Sequence, residues 1–284
     1  MTNDAAVEVD GLRMRYGKAD VLDGVSFTVA RGDVVALLGP NGAGKTTTIE
    51  ILEGFRARSA GRVSVLGVDP AIGREEWRAR VGVVLQSWRD HGKWRVRELL
   101  AHLATYYPQP WRVDELLATV GLVAQANSRI RTLSGGQRRR LDVAVGLVGR
   151  PELLFLDEPT TGFDPQARRE FHALVRTLAT TILLTTHDLG EAESLADRIL
   201  VLDGGRIVAS GTPAELAESI GGDDVVGWVR NGRRFTRAVR PSTPFVRELF
   251  EQYGDSIEEL EVRRASLEDS YLALVRRAES PVAT

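Results

Sequence analysis

Short apolar runs alternate along this chain with segments of helical period, and from about residue 34 to residue 201 that alternation predicts an α/β domain with a largely parallel sheet. Residues 34–38, 81–85, 153–156 and 182–186 are brief and almost uniformly apolar, the pattern of strands buried on both faces. Residues 46–52 can open a helix, and between the second and third of these strands the period turns helical, at 96–103, at 113–117, at 120–122 and again through Leu141 and Val145. Residues 199–202 and 206–209 can pair across Asp203, Gly204 and Gly205. Beyond about residue 215 the character changes. Residues 225–229 and 234–239 flank Asn231-Gly232, a two-residue hairpin signal, and a helix over 244–253 is expected to open at Thr243 with Pro244 in its first position. Ser266 to Asp269 reads as a capping box for a last helix through Val275. The expected organisation is a first domain over residues 1–215 and a small α+β appendage over 216–284.

Chemistry enters between the first strand and its helix. Gly39-Pro40-Asn41-Gly42-Ala43-Gly44-Lys45-Thr46 has the spacing of a P-loop, followed by Thr47. Glycines let backbone N–H groups wrap a phosphate chain, Lys45 can reach the outer phosphates, and the Thr46 hydroxyl can ligate Mg²⁺. ATP with Mg²⁺ is therefore the expected ligand. The run 153–156 ends in Asp157-Glu158-Pro159. Alone, two acids after a strand would be a solvated turn; beside a P-loop they predict Asp157 in the shell of Mg²⁺ and Glu158 as the base that polarises the attacking water.

Leu133-Ser134-Gly135-Gly136-Gln137, about twenty residues before the acidic pair, resembles the signature of the ATP-binding cassette (ABC) family. Ser134 can cap a helix, and paired glycines expose N–H donors at its positive end. The resemblance implies a P-loop NTPase fold: a RecA-like core with a parallel central sheet, an antiparallel β subdomain and a helical subdomain inserted at about 88–145. It implies that Ser134, Gly135, Gly136 and Gln137 serve the ATP held by a second cassette, a homodimer being the simplest arrangement. Tyr16 matches the aromatic that stacks on adenine, Gln86 the glutamine near Mg²⁺ and the attacking water, His187 the histidine that contacts the γ-phosphate, and Asp164 the aspartate loop at the subunit boundary. The partner implied is a separate polytopic permease, with the chain at the cytoplasmic face of the membrane. Residues 265–272 resemble the ending of drug- and polysaccharide-export cassettes. Where the family often shows an acidic or proline-containing stretch, residues 87–95 carry Trp88 and Trp94, which either pack locally or anchor a segment of the membrane subunit.

Composition narrows the rest. A net charge of −2 gives no global basic field for nucleic acid, and Arg138, Arg139 and Arg140 read as a solvated helix face. Without cysteine there is neither a disulfide nor a cysteine-ligated metal, which fits cytosolic residence. The expectation is no signal segment and no membrane span.

Overall fold

Three strands whose carboxyl ends finish level with one another organise the first part of the molecule. The computed structural model describes residues 5–84, 91–219 and 224–263. The chain divides into two compact units, Met1–Ser210 and Gly211–Thr284. The first opens with β1 (Ala5–Tyr16), β2 (Ala19–Ala30), β3 (Val34–Leu38), α1 (Lys45–Leu52), β4 (Ala60–Val65), α2 (Glu75–Arg78) and β5 (Val81–Val84). Three helices follow, α3 (Val96–Ala104), α4 (Val113–Thr119) and α5 (Gly135–Leu147). The chain then returns to β6 (Leu153–Asp157), α6 (Pro165–Thr177), β7 (Thr181–Thr186), α7 (Leu189–Leu195), β8 (Arg198–Asp203) and β9 (Arg206–Gly211).

The central sheet has the order β5-β6-β7-β3-β8-β9. Pairing is parallel from β5 through β6, β7 and β3 to β8, and the two-residue turn Gly204-Gly205 adds β9 at the edge. Register puts Leu38 opposite Thr186 and Asp157 opposite Thr185. A second sheet, β2-β1-β4, is antiparallel and carries several bulges along β1. Its inward residues Val7, Leu12, Leu22 and Val25 share one core with Leu37, Ile49, Leu52, Phe155, Leu183 and Leu200 from the central sheet and α1. The helical segment has its own buried set, including Val96, Leu99, Leu100, Leu116, Leu117 and Leu141.

The second unit contains α8 (Pro213–Ser219), β10 (Asp224–Arg230), β11 (Arg233–Val239), α9 (Ser242–Tyr253) and β12 (Ile257–Arg263). Asn231 and Gly232, both at positive φ, make the expected hairpin turn between β10 and β11. Two differences from the sequence reading appear here. The helix begins at Ser242 rather than at Pro244, because Pro244 is tolerated anywhere in the first turn, where backbone N–H groups have no intrahelical acceptor. The third strand, β12, pairs with β10 although its sequence is largely acidic; Leu260 opposite Trp228 and Val262 opposite Val226 carry its apolar face. Trp228 stacks on Phe235 and meets Phe245 edge-on. The expected last helix after Ser266 lies outside the described residues.

Phe155 is fully buried in the middle of β6. Phe155→Ala is expected to destabilise the protein by about 3–5 kcal/mol, measured as a lower midpoint in urea unfolding.

Candidate functional site

The loop after β3 is tied to the sheet before it turns. Gly39 N–H donates to the carbonyl of Thr186 at 3.2 Å. A side chain at Gly39 would bring its Cβ to 2.2 Å from the Leu202 carbonyl oxygen, so no other residue fits there. The loop ends at Gly44, the N-cap of α1, whose φ of 104° suits glycine. The consequence is a helix N-terminus with exposed Thr46 and half-buried Thr47 behind an exposed Asn41-Gly42 turn. Backbone donors and the positive end of the helix dipole make this an anion cradle. Ala43 is buried against the core and anchors the loop from below.

Lys45 is buried, with 6% of its surface exposed. Its Nζ donates to the carbonyls of Gly39 at 2.8 Å and Pro40 at 3.1 Å, and lies 3.6 Å from Glu158 Oε1. Burial lowers the pKa of this ammonium, and the Glu158 carboxylate opposes the shift.

At the end of β6 the Asp157 carboxylate accepts from Thr185 Oγ1 at 2.6 Å, and the same hydroxyl accepts the Glu158 N–H at 3.0 Å. Glu158 sits at φ 42°, a left-handed conformation that costs a non-glycine residue of order 1–3 kcal/mol. Its Oε1 is 3.4 Å from His187 Nδ1, and its Oε2 accepts from Thr161 Oγ1 at 3.2 Å. His187 is half exposed and Glu158 mostly buried, so the carboxylate is held from inside and reached from outside. The ends of β3, β6 and β7 thus bring together Lys45, Asp157, Glu158 and His187. Thr46 and Asp157 offer hard oxygen donors, which suit a Mg²⁺ ion that keeps waters and substrate oxygens in its shell. Among the described residues no group of three His, Cys, Asp or Glu forms a protein-only metal cage.

Ser134 opens α5. Its Oγ accepts the Gln137 N–H at 3.3 Å while Gln137 Oε1 accepts the Ser134 N–H at 3.0 Å, a reciprocal capping box. With Gly135 and Gly136 they line a cleft of about 590 Å³ shared with Gly162, Phe163 and Asp164. Asp164 caps α6, its Oδ1 accepting from the N–H groups of Gln166 and Ala167 at 2.9 Å each. The structure therefore joins the signature to the Asp164 loop, in a cleft apart from the Lys45 cluster. Tyr16, at the end of β1, is exposed and has the Arg56 guanidinium 5.1 Å from its ring centre. Gln86 and Trp88 lie outside the described residues. Trp94 is half-buried and packs its ring against those of His91 and His102.

One sequence reading is overturned. Arg138, Arg139 and Arg140 do not form a solvated face: Arg139 is buried, and side-chain exposure is only 20% at Arg138 and 23% at Arg140. α5 turns Arg139 toward the end of β6, where carbonyls past the last ladder bond need donors. Arg138 lies 3.4 Å from Asp142, and Arg140 pairs with Glu170. Three further residues of the site were passed over. Thr185 stands at the end of an apolar run and carries no local signal of its role. Arg139 was hidden in a charged run. Glu53, the C-cap of α1, carries no distinguishing local signal: it is 7% exposed, and burial, with Asp157 and Glu50 nearby, pushes its pKa to about 8.

Comparison with known proteins decides the family. The family model described as "ABC transporter" matches residues 22–161, which include the P-loop, the signature and the acidic pair. A daunorubicin resistance ATP-binding protein of Streptomyces coeruleorubidus is 44% identical over 245 residues, covering 83% of this chain and 77% of that protein. The chain belongs to the ABC transporter family. It is an ATPase subunit of a transporter, and cassettes of this family bind ATP or ADP, dimerise and work with membrane permeases. A Nod factor export ATP-binding protein I of Ralstonia nicotianae is 44% identical over 228 residues, 78% of this cassette and 71% of that protein. The solved structure of an ATP binding subunit of an ABC transporter superposes with a TM-score of 0.67 at 30% identity, over 76% of this chain and 93% of that one. No helix among the described residues is long and apolar enough to cross a membrane.

Because Glu53 holds its proton more tightly folded than unfolded, its contribution to stability is present at low pH and is lost as pH rises toward about 8. Glu53→Gln is therefore expected to gain stability relative to the parent between about pH 5 and pH 8, read from urea unfolding at each pH.

Proposed function

We propose that this cassette powers export, binding ATP and Mg²⁺ between two copies of itself and driving a separate polytopic permease from the cytoplasmic face of the membrane. The observation that carries the reading is the convergence of Lys45, Glu158 and His187 within 3.6 Å contacts at the ends of neighbouring strands. In it the loop from Gly39 to Thr47 cradles the phosphates, and Tyr16 stacks on the adenine. Lys45 exchanges its contacts with the Gly39 and Pro40 carbonyls for the outer phosphates. Thr46, Asp157 and Gln86 would hold Mg²⁺, which neutralises charge on the phosphate oxygens when bound. Glu158 takes a proton from water as the water oxygen attacks the γ-phosphorus; the bond to the bridging oxygen breaks, and ADP and phosphate leave. His187, against Glu158 Oε1, orients that carboxylate. Ser134, Gly135, Gly136 and Gln137 of one copy face the γ-phosphate bound by the other, with Asp164 at the boundary.

Export is supported by two relatives, one named for daunorubicin resistance and one for Nod factor export. ATP is supported by a bacterial Atm1-family ABC exporter solved with ATP bound, 26% identical and superposing with a TM-score of 0.65 over 78% of this chain and 41% of that one.

Glu158→Gln is expected to abolish hydrolysis, keep ATP affinity and trap a dimer at millimolar ATP; a monomer by light scattering would sink the role given to Glu158. Lys45→Ala should lose nucleotide affinity itself, measured by titration with a fluorescent ATP analogue. Affinity purification of the tagged chain from detergent-solubilised membranes is expected to recover a polytopic protein that alters ATP turnover. Recovery of soluble proteins only would end the export reading and leave the ATPase.

A further inference from the structure

We infer that Arg139 is a positioning residue for the catalytic carboxylate, holding the backbone on both sides of Glu158 in its left-handed turn. The inference rests on the reading of Glu158 as the base. Arg139 lies on the second turn of α5, the helix that Ser134 caps, and its side chain is 7% exposed. Its Nε donates to the Pro159 carbonyl at 2.9 Å and its Nη2 to the Asp157 carbonyl at 3.2 Å. Glu158 is the residue between those two carbonyls, and it is the one held at φ 42°. A conformation of that kind persists only where its surroundings over-determine it. Thr185 Oγ1 supplies one restraint through the Glu158 N–H, the Thr161 N–H a second through the Glu158 carbonyl, and the guanidinium holds the carbonyls on either side.

The geometry asks for a planar fork. Two carbonyls belonging to alternate residues can be bridged by the fixed N–H directions of one guanidinium, whereas an ammonium is a single point charge on a flexible stem. Keeping this cation out of water is costly: burial lowers the Arg139 pKa, against the carboxylates of Asp142, Asp157 and Glu191. A buried ion pair is a weak source of net stability, but removing one partner leaves the opposite charge uncompensated, so activity of the variants is to be read on folded protein only. What the cation supplies here is position. It ties the signature helix to the backbone of this chain's own hydrolytic carboxylate, so α5 and Glu158 are held by one side chain.

Arg139→Lys keeps the charge and loses the fork; Arg139→Gln loses the charge and keeps one short donor. Both are to be measured in the full chain, with turnover counted per bound fluorescent ATP analogue so that misfolded protein does not contribute. The expected result is affinity within about twofold of the parent, KM within about threefold, and kcat lower by about tenfold or more in both variants. Parent-like kcat in either variant overturns the assignment, as does a loss carried by KM. Rescue by lysine of the activity that glutamine loses also overturns it, since charge alone would then suffice. Glu158→Gln assayed alongside separates the two levels of failure. If it remains active, the reading of Glu158 as base fails and takes this one with it; if it is inactive while both Arg139 variants turn over normally, only the role of Arg139 fails.

Discussion

The parallel register between β3, β6 and β7 is the constraint on which the rest of the molecule depends. Leu38 opposite Thr186 and Asp157 opposite Thr185 bring three strands to an end at one level. Asp157, Glu158 and His187 then lie within a residue of that line, and the loop after β3 brings Lys45 back to it at the start of α1. A slip of one residue in β6 would turn Asp157 to the other face and carry Glu158 away from His187. Such a slip is opposed by the core beneath, where Leu37, Phe155 and Leu183 are completely buried. The chemistry at the top of the sheet is in this sense specified by apolar packing below it.

Above that line, polar groups are satisfied locally and economically. One hydroxyl, on Thr185, serves both the Asp157 carboxylate and the Glu158 N–H. One guanidinium, on Arg139, serves two carbonyls, those of Asp157 at the end of β6 and of Pro159 beyond it. The loop carbonyls of Gly39 and Pro40 are taken by Lys45 itself. Groups that would be costly to leave unpaired in a low-dielectric interior are thereby turned into restraints on catalytic geometry. The same economy explains Asp164, whose capping of α6 shapes the wall of the signature cleft.

The second unit follows different rules. Its sheet, β11-β10-β12, is held less by aliphatic burial than by an aromatic cluster of Trp228, Phe235 and Phe245, with Arg230 over Phe235 and Tyr253 and Arg237 over Phe245. Large rings and cation–π contacts make up for the small number of fully buried aliphatic residues that so short a unit can supply.

Local signals determined a good deal. The P-loop, the signature and the Asp-Glu pair are each contiguous, so their residue types and spacing were legible without any fold, as were the buried strands and the Asn231-Gly232 turn. Capping by Ser134 was legible for the same reason, since a cap acts within one turn. Tertiary structure alone decided what depends on neighbours distant in sequence. The antiparallel β2-β1-β4 sheet was expected only through the family resemblance, because bulges interrupt the pairing of β1 with β2 and β4 joins β1 from far along the chain. Thr185 gains its role only when β7 lies beside β6, and Glu53 its raised pKa only when α1 is packed against the core. Arg139 is the sharpest case. In the sequence it is the middle of three like charges and reads as solvated, whereas in the fold a rotation of about 100° per residue along α5 turns it inward, onto carbonyls that no periodicity could announce.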